Sequence, residues 1–466
     1  MRRTVPIRFA ISVAIAVTSV QVVMLSVAAP AGATAAFAGA VVQVNQDATT
    51  QPQDETTIAI NPTNVRNLSG GANDYRSGTT ACGAYRSTDR GKTWTDQTLL
   101  PAGFAEAGDP VVGFDGNGTA YYLCMGFNRD GAGNGIQNTQ WLYRSTNGGQ
   151  TWTGPVIALG TSKANVDDKG WLAVDQRTSG TNSGNIYASV TRNPGASSQI
   201  RFARSTNGGT SFTADLQVND ANPSRVQGSN IAVGADGAVY VAWADSDGSG
   251  NSRIMIDKST DGGQNFNALT GGNDHVVRNN FTAVGNPDGA AGGVRPLARV
   301  NSFPTIAASA TNANLLYAVW TENPAGADDS DIMLARSTDG GNTWSAPVRV
   351  NDDVNPSGEF FSQFFPSIAV DPVDNEVDVV WFSDQNDANR TDGTPLVDPY
   401  FASSSNNGVS FGASIRLSTA SSNTTANFPA GSSFFGDYSA VAARGGVAHP
   451  LWTDTTVGGG SDQDIA

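Results

Sequence analysis

Carboxylate side chains stand beside aromatic and basic residues at several separate places in the 466-residue sequence. Paired carboxylates with aromatic residues and a few arginines serve glycoside chemistry, in which one acid protonates the leaving oxygen and a second group attacks the sugar or activates water. Acids at strand ends can equally cap turns and keep a surface soluble, and this alternative stays open. The candidate segments are Asp54-Glu55, Asp74-Tyr75-Arg76, Asp168-Lys169 with Trp171, and Asp437-Tyr438.

Other kinds of site find little support in the sequence. The two histidines, His275 and His449, cannot form a three-histidine metal centre, and there is no His-Glu-x-x-His motif. No glycine-rich loop follows a strand and opens a helix, so we expect no nucleotide cofactor. Asp245-Ser246-Asp247-Gly248 and Asp328-Asp329-Ser330-Asp331 offer oxygen ligands for calcium, but both lack the terminal Glu of an EF-hand loop. We therefore expect no cofactor and interpret these segments as solvated turns, with weak calcium binding as the alternative.

The N-terminus is typical of a secretory signal peptide. Arginines precede an apolar run over residues 9–27, and small residues with an A-x-A-type cleavage site follow near Ala33 or Ala35. An uncleaved membrane anchor is the alternative, but the small residues and the polar chain after them favour cleavage. The sequence predicts a signal peptide over 1–35 and one secreted domain over 36–466.

The charge of the chain limits its partners. Loss of the three leader arginines changes the formal charge from −15 to −18. This balance argues against nucleic acid, whose affinity comes from clustered Lys and Arg, and disfavours polyanionic glycans unless arginines gather in one pocket. We expect an extracellular glycan or glycoconjugate as partner, no nucleic acid, no membrane after cleavage, and a monomer.

Internal repeats determine the fold prediction. The motif Ser-x-Asp/Asn-x-Gly-x-x-Trp/Phe, the Asp box, occurs six times. In each copy the Asp or Asn can bond the backbone of its own turn, the Gly accepts a positive φ, and the aromatic residue plugs the hairpin into the core. We interpret the boxes as structural. The copies begin at Ser87, Ser145, Ser205, Ser259, Ser337 and Ser404.

Two apolar strands precede each box, a third leads into it and a fourth leaves it, which makes a four-stranded propeller blade of about sixty residues. The sequence predicts seven first strands, one for each repeat, and the last repeat lacks a fourth strand. Residues 40–45 resemble a fourth strand, so we expect them to complete this blade and close the ring. The prediction is an all-β, seven-bladed propeller, with six blades as the alternative. The predicted first strands begin near Glu55, Pro110, Gly170, Ser229, Pro304, Pro366 and Tyr438.

Ligands are expected on the face opposite the boxes, over the central channel, where strand starts from all blades converge. The long connection from Leu269 to Val300 is either a pocket wall or a solvated loop, and carries Arg295 and Arg299. Cys82 and Cys124 flank neighbouring repeats, and form either a disulfide between blades or two buried thiols.

Six Asp boxes in a secreted propeller resemble the sialidase (BNR-repeat) superfamily over nearly the whole mature chain. That resemblance implies an Asp acid/base between strands two and three of the first blade, a late Tyr nucleophile paired with a Glu, and an arginine triad for the substrate carboxylate. The matching segments are Asn73-Asp74-Tyr75-Arg76 and Gly436-Asp437-Tyr438-Ser439. Asp54-Glu55-Thr56-Thr57-Ile58 replaces the Arg-Ile-Pro motif of the first strand, and sialidase domains typically have six blades.

These observations predict a secreted, sialidase-like glycoside hydrolase that acts on extracellular glycans, and the resemblance to sialidases implies that it is exo-acting and retaining. A glycan- or protein-binding propeller without turnover and a polysaccharide lyase are the alternatives. The expected catalytic residues are Asp74, Tyr438, Asp437 and Glu55, and the expected substrate-binding residues are Arg76, Arg225, Arg295, Arg299, Lys169 and Trp171.

Overall fold

The protein is an all-β propeller in a computed structural model. All regular elements among the described residues are strands, and none of those residues forms a helix long and apolar enough to cross a membrane. The predicted signal peptide, Arg295 and Asp328-Asp329 lie outside the described part of the chain. The structure describes residues 39–131, 135–160, 166–193, 197–220, 225–246, 252–284, 297, 299–323, 330–354, 361–389, 394–426, 434–457 and 462–466.

Six consecutive antiparallel sheets form the blades, with strands in chain order across each sheet. Blade 1 holds β1 (Gln53–Ile60), β2 (Leu68–Asp74), β3 (Ala81–Ser87) and β4 (Thr95–Leu99). Blade 2 holds β5 (Glu106–Phe114), β6 (Ala120–Arg129), β7 (Gly135–Ser145) and β8 (Thr153–Leu159). Blade 3 holds β9 (Asp167–Val174), β10 (Ile186–Arg192), β11 (Gln199–Ser205) and β12 (Leu216–Gln217).

The second half of the ring repeats this plan. Blade 4 holds β13 (Arg225–Val233), β14 (Val239–Ser246), β15 (Ser252–Ser259) and β16 (His275–Phe281). Blade 5 holds β17 (Thr305–Ala308), β18 (Leu316–Glu322), β19 (Asp331–Ser337) and β20 (Val348–Arg349). Blade 6 holds β21 (Gln363–Val370), β22 (Val377–Ser383), β23 (Leu396–Ser404) and β24 (Ile415–Arg416), with β25 (Ser422–Asn423) beside β23.

The core lies between neighbouring blades, because each sheet buries both of its faces. Strand β18 is buried along its whole length, and its Val319 and Trp320 point to opposite sides of the sheet. Trp320 packs in the cluster shared with blade 4, whereas Val319 packs with Trp381 in the cluster shared with blade 6. Because both faces are buried, the second strand of a blade consists largely of apolar residues without the usual alternation with polar ones.

The six motif turns join strands three and four and share one set of hydrogen bonds. In blade 1 the hydroxyl of Ser87 accepts the N–H of Gly91 at 2.9 Å, and Asp89 accepts the N–H of Thr93 at 2.9 Å. In blade 1 the Trp94 indole also donates to the Gly91 carbonyl at 3.0 Å, a bond that the indoles of Trp152 and Trp344 do not make. Gly91 has φ 79°, which explains the glycine at that position.

The last repeat departs from the predicted seven-bladed ring. Residues 437–454 and 464–466, here called the closing segment, form only two short ladders: β26 (Ala440–Ala443) with β27 (Ala448–Leu451), and β28 (Thr453–Asp454) with β29 (Asp464–Ile465). The prediction of seven blades is wrong in this respect, and the six-bladed alternative matches the structure. Among the described residues β26 pairs only with β27 and β28 only with β29, so these strands do not join into one four-stranded sheet.

The N-terminal segment nevertheless meets the closing segment as a fourth strand would. The Val44 N–H donates to the Ile465 carbonyl at 2.9 Å, and the Ile465 N–H donates to the Asn45 side chain at 3.1 Å. The closing segment also packs against both blade 1 and blade 6. Chain ends that lie far apart in sequence thus hold the ring together.

A disulfide joins Cys82 on β3 to Cys124 on β6 and so links blade 1 to blade 2. Both cysteines are fully buried. Of the two alternatives that the sequence left open, the disulfide is the one observed.

Candidate active site in the central channel

A bulge near the start of the first strand recurs in blades 1, 2, 3, 4 and 6. The extra residue has a positive φ in each case: 58° at Glu55, 50° at Asp109, 53° at Lys169, 70° at Gly228 and 53° at Phe365. A bulge leaves one residue unpaired and turns its side chain out of the regular alternation. In the closing segment Asp437 takes the same place in the sequence pattern, directly after Gly436, whose φ is 84°.

Three of these bulge residues are charged and keep a backbone conformation that favours glycine. Blade 4 has Gly228 at this position, and glycine adopts a positive φ without steric strain. A non-glycine residue there costs on the order of 1–3 kcal/mol, and such strain clusters at functional sites. The bulges of blades 1, 2 and 3 therefore mark Glu55, Asp109 and Lys169 as a candidate site.

The Lys169 ammonium joins the carboxylates of separate blades. Its Nζ lies 2.6 Å from Asp437 Oδ2, 3.0 Å from Glu55 Oε1 and 3.8 Å from Asp109 Oδ2. The Lys169 side chain is only 8% exposed, and those of Glu55 and Asp437 are 2% exposed. Charges this deeply buried must be paired, so we treat these four residues as one unit, the axial cluster.

Asn73 on β2 holds the acids of blade 1 in place. Its amide nitrogen donates to Glu55 Oε2 at 2.8 Å and to Asp54 Oδ1 at 3.0 Å. Its amide oxygen accepts the backbone N–H of Asp109 at 2.8 Å. One buried side chain thus fixes a carboxyl group in blade 1 and the bulge of blade 2.

Two acids of the axial cluster have pKa values displaced in opposite directions. Burial raises the pKa of Glu55 well above its ordinary value, and nearby Asp109 and Asp437 raise it further against the opposing effect of Lys169. Burial also acts to raise the pKa of Asp437, but Lys169 and Arg299 outweigh it and hold that pKa below its ordinary value. Opposite displacements of neighbouring carboxyls separate a proton donor from an ionised carboxylate.

Two further acids border the axial cluster. Burial raises the pKa of Asp54 to about 7, although the hydrogen bond from Asn73 acts in the other direction. Burial likewise raises the pKa of Asp168, which accepts a 2.8 Å hydrogen bond from the Gln227 side chain. The site therefore contains more carboxyl groups than positive charges.

Aromatic residues line the channel beside the cluster. The Lys169 ammonium lies 5.6 Å from the centroid of the Tyr438 ring, which meets Trp171 edge-on at 6.4 Å. The Tyr438 hydroxyl is buried without a hydrogen-bond partner among the described residues, as are Asp437 Oδ1 and Asp54 Oδ2. A cavity of about 30 Å³, lined in part by Trp171, Asp437 and Tyr438, has room for about one water molecule.

The structure separates the predicted arginines. Arg299 forms a close ion pair with Asp437 and stacks on Phe434 at 4.6 Å. Arg76 instead pairs with Asp74 and Asp96, both at 2.6 Å, at the end of β2. Arg225 opens β13 opposite Ser246. The described residues do not bring these arginines together as a triad.

Asp74 and its neighbour Asn73 point to opposite sides of β2, so Asp74 belongs to a different set of contacts. It accepts hydrogen bonds from Arg76 and from the Tyr85 hydroxyl, at 3.1 Å for the latter.

Both histidines lie away from the axial cluster: His275 bonds backbone oxygens of Thr270 and Asn342, and His449 lies on β27. Of the predicted site residues, Glu55, Lys169 and Asp437 belong to the axial cluster, and Arg299, Tyr438 and Trp171 lie beside it.

The described part of the chain has no group of three or more His, Cys, Asp or Glu side chains arranged to hold a metal ion. Asp245, one of the oxygen ligands considered for calcium, forms an ion pair with Arg253.

Sialidases and an arabinanase are among the solved structures that this chain resembles, as is a protein of unknown function from Dyadobacter fermentans. A Hadza microbial sialidase is 15% identical with a TM-score of 0.49 and covers 86% of this chain and 72% of its own. The α-L-arabinanase of Penicillium chrysogenum is 12% identical with a TM-score of 0.47, over 73% and 91% of the two chains. The intramolecular trans-sialidase of Ruminococcus gnavus is 12% identical with a TM-score of 0.48, over 74% and 94%. The similarity is one of fold. Scans against protein-family models and against curated proteins find no match.

Asn73, Asp54 and Asp109 were not among the catalytic or substrate-binding residues expected from the sequence, although Asp54 belonged to one of the candidate segments. A signal for Asp109 exists: when the first strands are aligned on their apolar runs, it takes the same place as Glu55, Lys169 and Asp437. Asn73 has no such signal, because its role follows from the side of β2 on which it lies.

We expect Asp54→Asn to flatten the pH dependence of stability. An acid whose pKa is raised in the folded protein binds protons more tightly there than in the unfolded chain. The free energy of unfolding therefore falls as the pH rises from 3.8, the ordinary pKa of Asp, towards about 7, the pKa of Asp54 in the folded protein. Between pH 5 and 7 the free energy of unfolding should therefore fall by about 2 kcal/mol less in Asp54→Asn than in the parent. Urea unfolding at the two pH values measures the difference.

Asp374→Asn is the matched control, since Asp374 is an exposed carboxylate on the turn after β21. Equal pH dependence in the parent and in Asp54→Asn would show that Asp54 does not carry a displaced pKa.

Proposed function

We propose that the protein is a secreted glycoside hydrolase that acts on extracellular glycans at the axial cluster. The observation that carries the proposal is the placement of Glu55 and Asp437 on one ammonium group, with their pKa values displaced in opposite directions. Export rests on the signal peptide that the sequence predicts over residues 1–35.

In this proposal Glu55 is the proton donor and Asp437 the nucleophile. Glu55 gives its proton to the glycosidic oxygen as the bond to the sugar breaks, and Asp437 forms a bond to the anomeric carbon. Water then attacks that carbon and gives a proton to Glu55, which releases Asp437 and restores both groups. Lys169 and Arg299 keep Asp437 ionised between turnovers.

The spacing of the two acids argues against inversion of the anomeric configuration. Both oxygens bond to the same nitrogen, at 3.0 and 2.6 Å, so they lie at most 5.6 Å apart. Retaining enzymes place their carboxyl groups about 5–5.5 Å apart, whereas inverting enzymes leave about 6.5–9.5 Å for a water molecule.

The charges of the cluster favour a sugar without a carboxylate. Lys169 and Arg299 are both already paired with Asp437, and Asp54, Asp109 and Asp168 add further acid nearby. An anionic sugar would enter this site without a positive charge of its own to bind. Trp171 and Tyr438 place aromatic rings on the wall of the small cavity beside the cluster, and this cavity must widen before a neutral sugar ring packs on them.

The sialidase-like version uses Tyr438 as nucleophile, Asp74 as acid/base and arginines for a substrate carboxylate. Its support is the position of Tyr438 beside the cluster, where burial and then Glu55 raise the pKa of the hydroxyl. The bonds from Arg76 to Asp74 favour the Glu55 and Asp437 pair over this version.

A binding propeller without turnover is the second candidate. The observation in its favour is the depth of the axial cluster, whose acids are almost fully enclosed.

Incubation with a glycan panel tests the proposal. The full chain is expressed in a secreting host, its N-terminus is determined by mass spectrometry, and neutral glycans and sialosides are supplied at matched concentrations. We expect release of a neutral sugar, with retained configuration by NMR, from a protein that begins near residue 36. Release of sialic acid would support the Tyr438 version instead, and binding without any release would support the second candidate.

A further inference from the structure

A second cavity, here called the lower cavity, opens on the face of the motif turns. The axial cluster lies near the starts of the first strands, whereas the lower cavity is lined by the ends of these strands in all six blades and by the end of β26. The two sites are therefore at opposite ends of the central channel. The volume of the lower cavity is about 530 Å³. Small-molecule sites have volumes of about 300–1,000 Å³.

The wall of the lower cavity is mainly aliphatic. Val233, Ala308 and Val370, each the last residue of its first strand, are only half-buried. Apolar surface that remains in contact with water favours the binding of an apolar group. The wall residues are Ile58, Val112, Ala173, Val233, Ala308 and Val370.

The residue that follows each first strand stabilises the turn to the second strand. Its backbone N–H closes the turn, as Asp115 does on the Thr119 carbonyl and Arg444 on the Val447 carbonyl, both at 3.0 Å. In five blades its side chain also accepts the N–H of the residue two positions later. These acceptors are Asn61, Asp115, Asp175, Ser309 and Asp371, at 2.8–3.2 Å.

Arg444 takes this position in the closing segment, and a guanidinium cannot accept a hydrogen bond. The half-buried Arg444 side chain lines the lower cavity and has no hydrogen bond or ion pair with any described residue. Arg177, on the same wall, is already paired with Asp175 at 2.6 Å and donates to the carbonyls of Asp236 and Thr181 at 2.9 Å. Arg444 therefore offers the cavity a positive charge that the turn does not use.

Acidic residues near Arg444 limit the charge of a ligand. Asp371 accepts the N–H of Gly446 at 2.7 Å, and Asp374 is exposed on the same turn. A ligand with two negative charges would place one of them near these acids, and like charges in contact are costly. The lower cavity thus favours a ligand with one negative charge and an apolar body.

We propose that the lower cavity binds an aliphatic monocarboxylate. The carboxylate accepts paired N–H bonds from the Arg444 guanidinium, and the hydrocarbon chain packs on the aliphatic wall. Each methylene that becomes buried strengthens binding about fourfold. Because this site is at the other end of the channel from the axial cluster, its occupation does not depend on glycan hydrolysis.

Isothermal titration calorimetry of the full chain with octanoate at about pH 7 tests the proposal. We expect octanoate to bind about tenfold more tightly than hexanoate, because two further methylenes are buried. Octan-1-ol has the same chain length but lacks the charge. It is expected to bind at least about tenfold more weakly than octanoate, because a hydrogen bond to an ionised group is stronger than one to a neutral group.

Two variants locate the binding site. Arg444→Gln removes the guanidinium and is expected to weaken octanoate binding about tenfold or more. Ala310→Trp is expected to have a similar effect, because Ala310 is exposed at the rim and a larger side chain there fills the mouth of the cavity. Arg90→Gln is the matched control, since it removes the same charge from an exposed residue on the same face that does not line the cavity.

Several results would overturn the proposal. One is a parent protein that does not bind octanoate at millimolar concentration, and another is equal binding of octanoate and octan-1-ol. Equal affinity of octanoate for the parent and for Arg444→Gln would exclude the guanidinium as its partner. An equal loss of affinity in Arg90→Gln would show that octanoate responds to the charge of the whole face rather than to this cavity.

Discussion

Glu55→Gln and Asp437→Asn are each expected to lower kcat/KM by about 10³-fold on any neutral glycan that the protein cleaves. The first change removes the proton that the leaving oxygen needs, and general acid catalysis contributes about 10²–10⁴-fold. The second removes the carboxylate that attacks the sugar and leaves the shape of the side chain almost unchanged. Initial rates over a range of substrate concentrations measure both effects.

An activated substrate distinguishes the two roles. A nitrophenyl leaving group needs no proton, so Glu55→Gln should lose much less activity on a nitrophenyl glycoside than on the natural linkage. Asp437→Asn should lose activity on both, because its role is attack on the sugar rather than departure of the leaving group. Equal losses for both variants on both substrates would contradict these assignments.

The pH profile gives a second check on the same pair. The proton donor must stay protonated, so the basic limb of kcat/KM should reflect the raised pKa of Glu55. The acidic limb should reflect the lowered pKa of Asp437. Glu55→Gln should remove the basic limb from whatever activity remains.

Asp89→Asn is the matched control for these variants. Asp89 belongs to the first motif turn, and the equivalent turns already use Asn147, Asn207 and Asn406, which make the same hydrogen bond with serine. We expect unchanged activity. Asp74→Asn serves as the opposing test: if it alone abolished activity, the acid/base would be Asp74, as the resemblance to sialidases implies.

Most strands could be predicted because each blade repeats the same local rules. Apolar second strands, a third strand that ends in the serine of the turn, and the glycine of the turn recur with little variation. The exception was the closing segment, where two strand-like runs and a fourth-strand pattern suggested a whole blade. Strand patterns indicate which segments are extended, but the number of strands in a sheet depends on how far each ladder continues.

The starts of the first strands were harder to predict. The first strand was expected to begin near Glu55, ahead of the apolar run at Ile58, but β1 extends back to Gln53 through the bulge at Glu55. Polar residues before an apolar run normally indicate a loop. Here they continue the strand because the bulge turns Glu55 towards the charges of other blades, contacts that no local pattern contains.

The candidate site could be predicted only in part for the same reason. Glu55, Lys169 and Asp437 come from three distant parts of the chain and were selected for residue type and strand position. Their pairing through one ammonium depends on closure of the ring. Asp74 was selected and Asn73 was not, although alternation along β2 sends Asn73 to the cluster and Asp74 to Arg76.

Lys169→Met is expected to lower the free energy of unfolding by about 3–5 kcal/mol at pH 8. Methionine keeps the length of the side chain but removes the buried positive charge that faces Glu55, Asp109 and Asp437. Removing one partner of a buried ion pair leaves the other charges uncompensated, and this accounts for the size of the effect. The ion pairs join blades 1 to 3 and the closing segment, so the ring loses a contact at its axis.

The loss should be smaller at pH 5 than at pH 8. Without Lys169 the folded-state pKa values of Glu55 and Asp437 rise. A folded protein that contains an acid with a raised pKa becomes less stable as the pH increases towards that pKa. At pH 5 protonation of the cluster removes part of the repulsion. Lys169 itself has a raised pKa, chiefly through Asp109, Asp437 and Glu55 against the effect of burial, so in the parent it stays charged at both pH values.

Urea unfolding of Lys169→Met at pH 5 and pH 8 measures both effects, with Lys92→Met as the control for an exposed lysine. Adding Asp437→Asn to Lys169→Met should restore part of the stability at pH 8, because it removes one of the uncompensated charges. An equal loss at the two pH values, without recovery in the double variant, would mean that Lys169 contributes mainly by packing. The axial cluster would then lack the electrostatic coupling on which the assignment of Asp437 as an ionised nucleophile depends.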